Sequence, residues 1–359
     1  MTLVLGIETS CDETSLALLD GDGRAVSSVI GAQMESHERF GGVVPEIAAR
    51  DHLMNLPPLL DRTLAAGGAS LRDVSLVAAT AGPGLVGALL VGLSEGKGLA
   101  FGLGVPFVPV HHIEAHCLSP FLNPEGSPAR AVPADFTALV VSGGHTHLYR
   151  FHGQRIVLRA RTRDDAAGEA YDKVAKMAGL GYPGGPVVDR LAGSGRAKEP
   201  FAVPRFSDGS LDFSFSGLKT AVRDRLRAIG VKPQTGLPET VGRVDEESAP
   251  PALRDLLADF QEAVITQLTD RLSRILDDEA FELLTVSGGV AANTLLRERL
   301  VAWGRNRRVE VLLPHRALTG DNAMMVAFAG LRRHLSGKPG EGFAAMARSR
   351  WPLESLSGS

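Results

Sequence analysis

Leu3-Val4-Leu5-Gly6-Ile7-Glu8-Thr9-Ser10-Cys11-Asp12-Glu13-Thr14 runs from five apolar residues straight into a polar turn. A short apolar run bounded in this way reads as a buried strand, and residues 15–19 return as a second one. Gly21-Asp22-Gly23 then turns the chain into a third strand over 25–30. A helix over 44–64 follows, with Pro45 near its start and Gly67-Gly68 behind it. Much of this order recurs. Thr137-Ala138-Leu139-Val140-Val141 is a buried strand and Ser142-Gly143-Gly144-His145-Thr146 its polar turn. Strands over 147–151 and 156–160 flank a turn at Gly153, and a helix covers 164–177. The unit of strand, polar turn, strand, turn, strand and helix thus occurs twice, offset by roughly 130 residues. Such a duplication predicts two α/β lobes facing each other across a central cleft, with both polar turns aimed into it. Turns at strand ends gather free backbone N–H groups and suit phosphate; the alternative for Gly143-Gly144 is a plain hairpin turn.

A third glycine site lies further on. Residues 281–286 read as a strand, Ser287-Gly288-Gly289-Val290-Ala291-Ala292-Asn293 as a loop and 294–303 as a helix. A glycine-rich loop before a helix lets a ligand approach the backbone. Asn293 suits a helix cap, a ligand contact, or both. The length of 359 residues suits two domains, and 44% hydrophobic with 22% charged residues is a globular composition. A net charge of −3 leaves no global polycation to hold nucleic acid, so RNA must meet a local basic face or a partner. The arginines at 297, 299, 305, 307 and 308 read first as a solvated helix face. Cys11 and Cys117 are the only cysteines, which fits a reducing compartment and no disulfide framework. The N-terminus reads as a strand and not as a signal peptide. The apolar window 85–108 reads as a small-residue helix packed inside the fold, interrupted by Glu95, Lys97 and glycines. A cytoplasmic protein without a membrane contact is expected. The Pro-, Gly-, Glu- and Ser-rich stretch 230–251 is expected to be a surface insertion. The basic tail after Ser336, with Lys338, Arg348 and Arg350, reads as a partly ordered segment or one used for contact.

His112-Ile113-Glu114-Ala115-His116 places two imidazoles at i and i+4, on one face of a helix. Two neutral imidazoles so spaced can share a metal ion. In the metalloprotease pattern a Glu directly follows the first His and acts as base. Here Ile113 fills that slot, so the pattern suggests metal binding without peptidase chemistry. Satisfied core or surface histidines are the plainer alternative.

Taken in order, these motifs join Thr80-Ala81-Gly82-Pro83-Gly84, Gly168-Glu169-Ala170-Tyr171-Asp172-Lys173, Tyr182-Pro183-Gly184-Gly185-Pro186, Phe213-Ser214-Phe215-Ser216-Gly217-Leu218-Lys219-Thr220 and Asp321-Asn322-Ala323. The series resembles the TsaD family of tRNA adenosine threonylcarbamoyltransferases, once called O-sialoglycoprotein endopeptidases, over nearly the whole chain. The resemblance implies a duplicated actin-like, sugar-kinase-like ATPase fold. It implies a first lobe of 1–110 completed by 325–359, and a second lobe of 111–324 carrying the 230–251 insertion. It implies one divalent metal, Fe2+ or Zn2+, held by His112, His116 and Asp321. Substrate contacts are implied at Val141, Ser142, Gly143, Gly144, His145, Asp172, Gly185, Asp189 and Asn293, with a nucleotide or adenylate in the cleft. Tyr171 in place of Phe and Thr319-Gly320 before Asp321 depart from the usual pattern. The implied reaction moves threonylcarbamoyl from threonylcarbamoyl-adenylate to the exocyclic amine of adenosine 37 in tRNAs reading ANN codons, releasing AMP. Asp12 and Glu13 are candidates for the general base, or braces of their turn. Lys219 is a candidate phosphate contact or a structural ion pair. A TsaB-like paralogue and a TsaE-like ATPase are the implied partners. The rivals are a metallopeptidase, a kinase or chaperone-type ATPase of the same superfamily, and a non-catalytic scaffold.

Overall fold

The first apolar run becomes β1 (Leu3–Glu8), the central strand of a five-stranded sheet with β2 (Glu13–Asp20), β3 (Ala25–Ala32), β4 (Leu76–Gly82) and β5 (Phe107–His111). Its order is β3-β2-β1-β4-β5. The β1–β2 and β2–β3 pairs are antiparallel, while β1–β4 and β4–β5 are parallel. The second sheet holds β6 (Asp135–Val141), β7 (Thr146–His152), β8 (Arg155–Arg161), β9 (Leu283–Ser287) and β10 (Glu310–Leu312). Its order, β10-β9-β6-β7-β8, is the same topology repeated, with the same alternation of antiparallel and parallel pairs. The duplication read from the two apolar runs is therefore present in the sheets themselves. The computed structural model describes residues 2–33, 36–37, 40, 42–234 and 249–358.

Both faces of the inner strands β1, β2, β4, β6 and β9 are covered, which is why they are buried almost throughout, whereas the edge strand β3 alternates between half-buried and exposed positions. Leu5, Ile7, Leu16 and Leu18 pack under α1 (Pro45–Ala66) and α2 (Val86–Leu103). Their neighbours Val4, Ala17 and Leu19 face the other way, into a core shared with Phe136, Ala138 and Val140 of the second sheet. The outer face of that second sheet is covered by α4 (Ala167–Ala178), α5 (Gly184–Gly193), α6 (Ser216–Ala228), α7 (Pro251–Asp278) and α8 (Thr294–Arg307).

Two helices trade places between the sheets. Helix α3 (His112–Leu118) leaves β5 of the first sheet and packs on β6 and β9 of the second. Helix α9 (Ala323–Leu335) comes after β10 and packs on β1, β2 and β4. The two helices also touch each other. Close approach of α9 is why Gly6 sits in the middle of β1: a Cβ there would stand 2.3 Å from the Ala323 carbonyl oxygen. The start of α3 and the approach to α9 thus meet where the lobes join.

Helix α2 buries Ala88, Leu89, Gly92, Leu93, Gly96 and Ala100, as its small residues suggest, yet Val86, Leu90 and Phe101 are exposed. The expected inside position holds for one face only. Among the described residues it is the one helix long and apolar enough to cross a membrane. The tail beyond Ser336 is packed: Ala345 and Leu353 are buried, and Arg348 N–H donates to the Ala81 carbonyl. The arginines of α8 are tethered, Arg297 to the Ala291 and Pro314 carbonyls, Arg299 to Glu262 and Arg307 to Asp277. Of the expected insertion at 230–251, residues 235–248 lie outside the described residues. Its described edges are Gln234, whose N–H donates to the Met177 carbonyl, and Pro251, which opens α7.

Candidate metal and substrate cleft

Between the lobes lies a cleft of about 750 Å³, lined from the first lobe by Ser10, Cys11, Asp12 and Glu13 and from the second by Ser142, Gly143, Gly144 and His145. His112 and Asp321 form part of its wall, with Asp172, Lys176 and Tyr182 along one side. Both polar turns and the paired-histidine helix therefore reach one space.

Helix α3 starts abruptly because His111 caps it, its Nδ1 accepting from the Ile113 and Glu114 N–H groups. His112 and His116 follow one turn apart, with ring centroids separated by 4.6 Å. Nε2 of His116 lies 3.0 Å from Oδ1 of Asp321, and Nε2 of His112 lies 3.6 Å from the same oxygen. One ligand atom from each of the three falls within 4.8 Å of the others. Donors at about 2.0–2.2 Å from a tetrahedral or octahedral cation stand about 3–3.5 Å apart, so the two His–Asp spacings match a shared ion, and the wider outer limit closes with a small inward turn of the imidazoles. Two imidazoles and a carboxylate also suit zinc or ferrous iron and leave open coordination positions.

The electrostatics follow from burial. Desolvation works against a charged His112, but the charges of Asp321 and Glu8 overcome it and push its pKa up to about 9. Burial likewise works against the Asp321 carboxylate, yet His112 and His116 hold it well below the ordinary range. Burial, with His147 and the other imidazoles added, drives His145 down to about 3, so this side chain meets a ligand as a neutral donor or acceptor. Glu13 is pushed up to about 8, by burial first and then by the charges of Asp321, Asp12 and Glu8. Burial raises the Cys11 thiol far above its usual range, so it is no thiolate nucleophile.

Gly143 and Gly144 form the β6–β7 turn, closed by the Ser142 N–H on the His145 carbonyl at 2.7 Å. A Cβ on either glycine would meet no protein atom within 4 Å. The protein's own packing does not demand these glycines; they leave room for a ligand against the backbone. Gly289 in the third glycine loop is equally open and also lines the cleft.

Other implied contacts have protein partners. Asp172 accepts the Gly184 N–H at 2.8 Å, and burial raises its carboxyl. Asp189 accepts the Thr294 N–H at 3.0 Å. Asn293 caps α8 by accepting from Leu296 N–H at 2.9 Å and donates to Gln261. Val141 is a fully buried strand residue, and neither it nor Gly185, Asp189 or Asn293 lines the cleft. Lys219 is ion-paired with Asp165, as is Lys173 at 2.8 Å, which matches the structural alternative for Lys219. Three groups in or beside the cleft went unread in the sequence: Glu8, Lys176 and Ser349. Lys176 stands one turn from Asp172 and that spacing was visible; Ser349 arrives from the tail and left no local sign.

A profile of the family described as TsaD, tRNA N6-adenosine threonylcarbamoyltransferase, matches residues 24–328. The chain belongs to the TsaD family. Relatives of that name include one from Thermus thermophilus, 46% identical over 352 residues, covering 98% of this chain and 99% of the relative. Another, from Geobacter sulfurreducens, is 46% identical over 360 residues and covers 99% and 98%. Among solved structures, component A of the Acidaminococcus fermentans (R)-2-hydroxyglutaryl-CoA dehydratase is similar at a TM-score of 0.52 and 12% identity, covering 93% of this chain and all of that one. HypF from T. kodakarensis reaches 0.57 at 14% identity, covering 94% of this chain and 48% of that one. Such distant likenesses speak for the fold alone, the two-lobed actin-like and sugar-kinase-like architecture.

Proposed function

We propose that this chain transfers the threonylcarbamoyl group from threonylcarbamoyl-adenylate to the exocyclic amine of adenosine 37 in tRNAs reading ANN codons, with release of AMP. The observation that carries the reading is the convergence of His112, His116 and Asp321 within 4.8 Å, in a cleft flanked by both polar turns. Membership of the TsaD family supplies the substrate class. A divalent metal, ferrous iron or zinc, would be held by those three side chains and would supply Lewis acidity and an anchor for donor oxygens.

The residues divide the remaining work. The open backbone at Gly143 and Gly144 takes the phosphate or the developing oxyanion, and neutral His145 donates a hydrogen bond beside it. Asp172 holds donor hydroxyls from the cleft wall, while Asp189, Gly185, Val141 and Asn293 act from behind that wall, Asp189 and Asn293 by fixing the start of α8. The adenosine amine attacks the carbamoyl carbon, its proton passes to a base, and the carbon–oxygen bond to phosphate breaks. Both candidates line the cleft, and Glu13 is the better base of the two because burial raises its carboxyl to about 8, close to the working pH. Asp12 shares the turn and serves to shape it. The peptidase reading lacks its own base, the Glu directly after the first His: Ile113 fills that slot and is buried, and Glu114 is bound to Arg333 at 2.7 Å.

The reading includes a cytoplasmic setting and two helpers, a TsaB-like paralogue and a TsaE-like ATPase. The test is AMP release and label transfer into tRNA, with threonylcarbamoyl-adenylate as donor and the helpers present. His112→Ala should lose transfer by on the order of a hundredfold or more. ADP formed from ATP alone, or peptide hydrolysis without tRNA transfer, would sink the proposal.

A further inference from the structure

Glu8 is a carboxylate with no exposure at all, at the C-terminal end of β1 and directly beneath the cleft turn. Its Oε1 accepts the Ser10 N–H at 2.5 Å and its Oε2 accepts the Thr80 hydroxyl at 2.6 Å. Oε2 also stands 3.2 Å from Nδ1 of His112, whose other nitrogen faces Asp321. One imidazole is thus gripped between two acids.

We infer that Glu8 is the positioning residue of the metal site: it accepts a hydrogen bond from the Nδ1–H of His112, fixes the tautomer that leaves Nε2 bare, and aims that nitrogen at the ion. The inference rests on the metal reading proposed above and deepens it. A neutral imidazole carries one N–H, and the hydrogen bond made at one nitrogen decides which atom is left to ligate. An ionised carboxylate only accepts, so it selects Nδ1–H without ambiguity. The hydroxyl of Ser10 is also 3.2 Å from Nδ1, but a hydroxyl donates as readily as it accepts and selects nothing by itself.

A brace for the turn would need only Ser10 N–H and Thr80, and would not need an oxygen against the imidazole. His116 offers the contrast, for its Nδ1 is buried without a hydrogen-bond partner. Glu8 is therefore the carboxylate among the described residues that backs a ligand histidine from behind. It also settles the charge of the site. Asp321 borders the ion position and Glu8 stands one imidazole behind it, and the two negative charges together balance a divalent cation.

The experiment uses the full chain stripped of metal and titrated with Co2+, a spectroscopic probe for such sites. Glu8→Gln should weaken Co2+ binding about 10–100-fold and alter the visible d–d bands, the effect expected when an outer carboxylate is removed. Thr80→Val, which removes one support of Glu8, should weaken it less. Two-bond nitrogen–proton spectra of the Zn2+-loaded wild type should place the His112 proton on Nδ1. The inference falls if that proton is on Nε2, or if a folded Glu8→Gln binds Co2+ with unchanged affinity and spectrum. Should Glu8→Gln fail to fold, the wild-type tautomer and Thr80→Val decide. A wild type that binds neither Co2+ nor Zn2+ would overturn the metal reading itself, a result distinct from failure of the Glu8 role.

Discussion

Gly143 and Gly288 look alike in the sequence and differ in what their missing side chains protect. Gly143 would tolerate a Cβ as far as the protein is concerned, with nothing within 4 Å. Gly288 has φ at 91° and a Cβ there would stand 2.4 Å from the Val141 carbonyl oxygen. The substitutions should separate folding from binding. Gly143→Ala should melt within about a degree of wild type while weakening donor binding at least about tenfold, read by calorimetry with an unreactive adenylate analogue. Gly288→Ala should destabilise by on the order of 1–3 kcal/mol, since a positive φ and a backbone clash are both imposed. Equal donor affinity in Gly143→Ala would deny the turn its ligand.

Glu13 carries a second residue-scale argument. Its carboxyl is raised from 4.5 to about 8 in the folded protein, by burial above all. A group raised in this way stabilises the fold at low pH, and the contribution is lost as pH rises from the unfolded value through the folded one. Between pH 4.5 and 8 folded Glu13 keeps its proton while the unfolded chain gives it up, so the destabilisation builds across that window and is complete above it. Glu13→Gln should raise stability at pH 8 by on the order of 1–3 kcal/mol while lowering kcat about 10²–10⁴-fold. The wild-type rate should rise with pH as the base ionises, and the variant should lose that limb. A variant that is both fully active and no more stable would remove Glu13 from the chemistry.

At the scale of elements, the short paired-histidine helix α3 depends on a segment far away in sequence. His111 caps α3 through Nδ1 and donates through Nε2 to the Trp351 carbonyl at 2.8 Å, with the two rings 4.8 Å apart. The same tail lays Ser349 on the cleft rim. Deleting residues 347–359 should therefore lower the melting temperature by several degrees and reduce bound metal, measured by calorimetry and elemental analysis. Unchanged metal content would show that α3 holds its ligands unaided. This dependence was not legible in the sequence. The strands β1 and β6 were, because unbroken apolar runs ending in polar turns have few other readings. The i and i+4 spacing of His112 and His116 was legible too, since a single helix sets it. What joins them to Asp321, Glu8 and Trp351 is the crossing of chain segments hundreds of residues apart, and no local pattern encodes that. Cap roles such as Asp189 on Thr294 were likewise hidden, because an Asp that caps and an Asp that binds sugar look the same in a string.

At the scale of the whole molecule, the duplicated sheets explain where the chemistry sits. The last strand of each half hands the chain to the other lobe, so ligands before α9 and within α3 are brought face to face at the junction. Charge does not explain how tRNA is held, for the net value is −3. Surface does suggest a helper. Leu53 and Met54 on α1 are 65% and 73% exposed, and Val86 and Leu90 on the neighbouring α2 are 44% and 49% exposed. Exposed apolar side chains on two packed helices, none of them in the cleft lining, are expensive to leave in water and suit a protein partner. If the TsaB-like paralogue docks there, the double variant Leu53→Glu with Leu90→Glu should keep its fold, its metal and its donor affinity. Helper-dependent transfer into tRNA should nevertheless fall at least about tenfold, and the complex should be lost in size-exclusion chromatography. Retention of both complex and turnover would move the docking surface elsewhere and leave these four side chains without a partner.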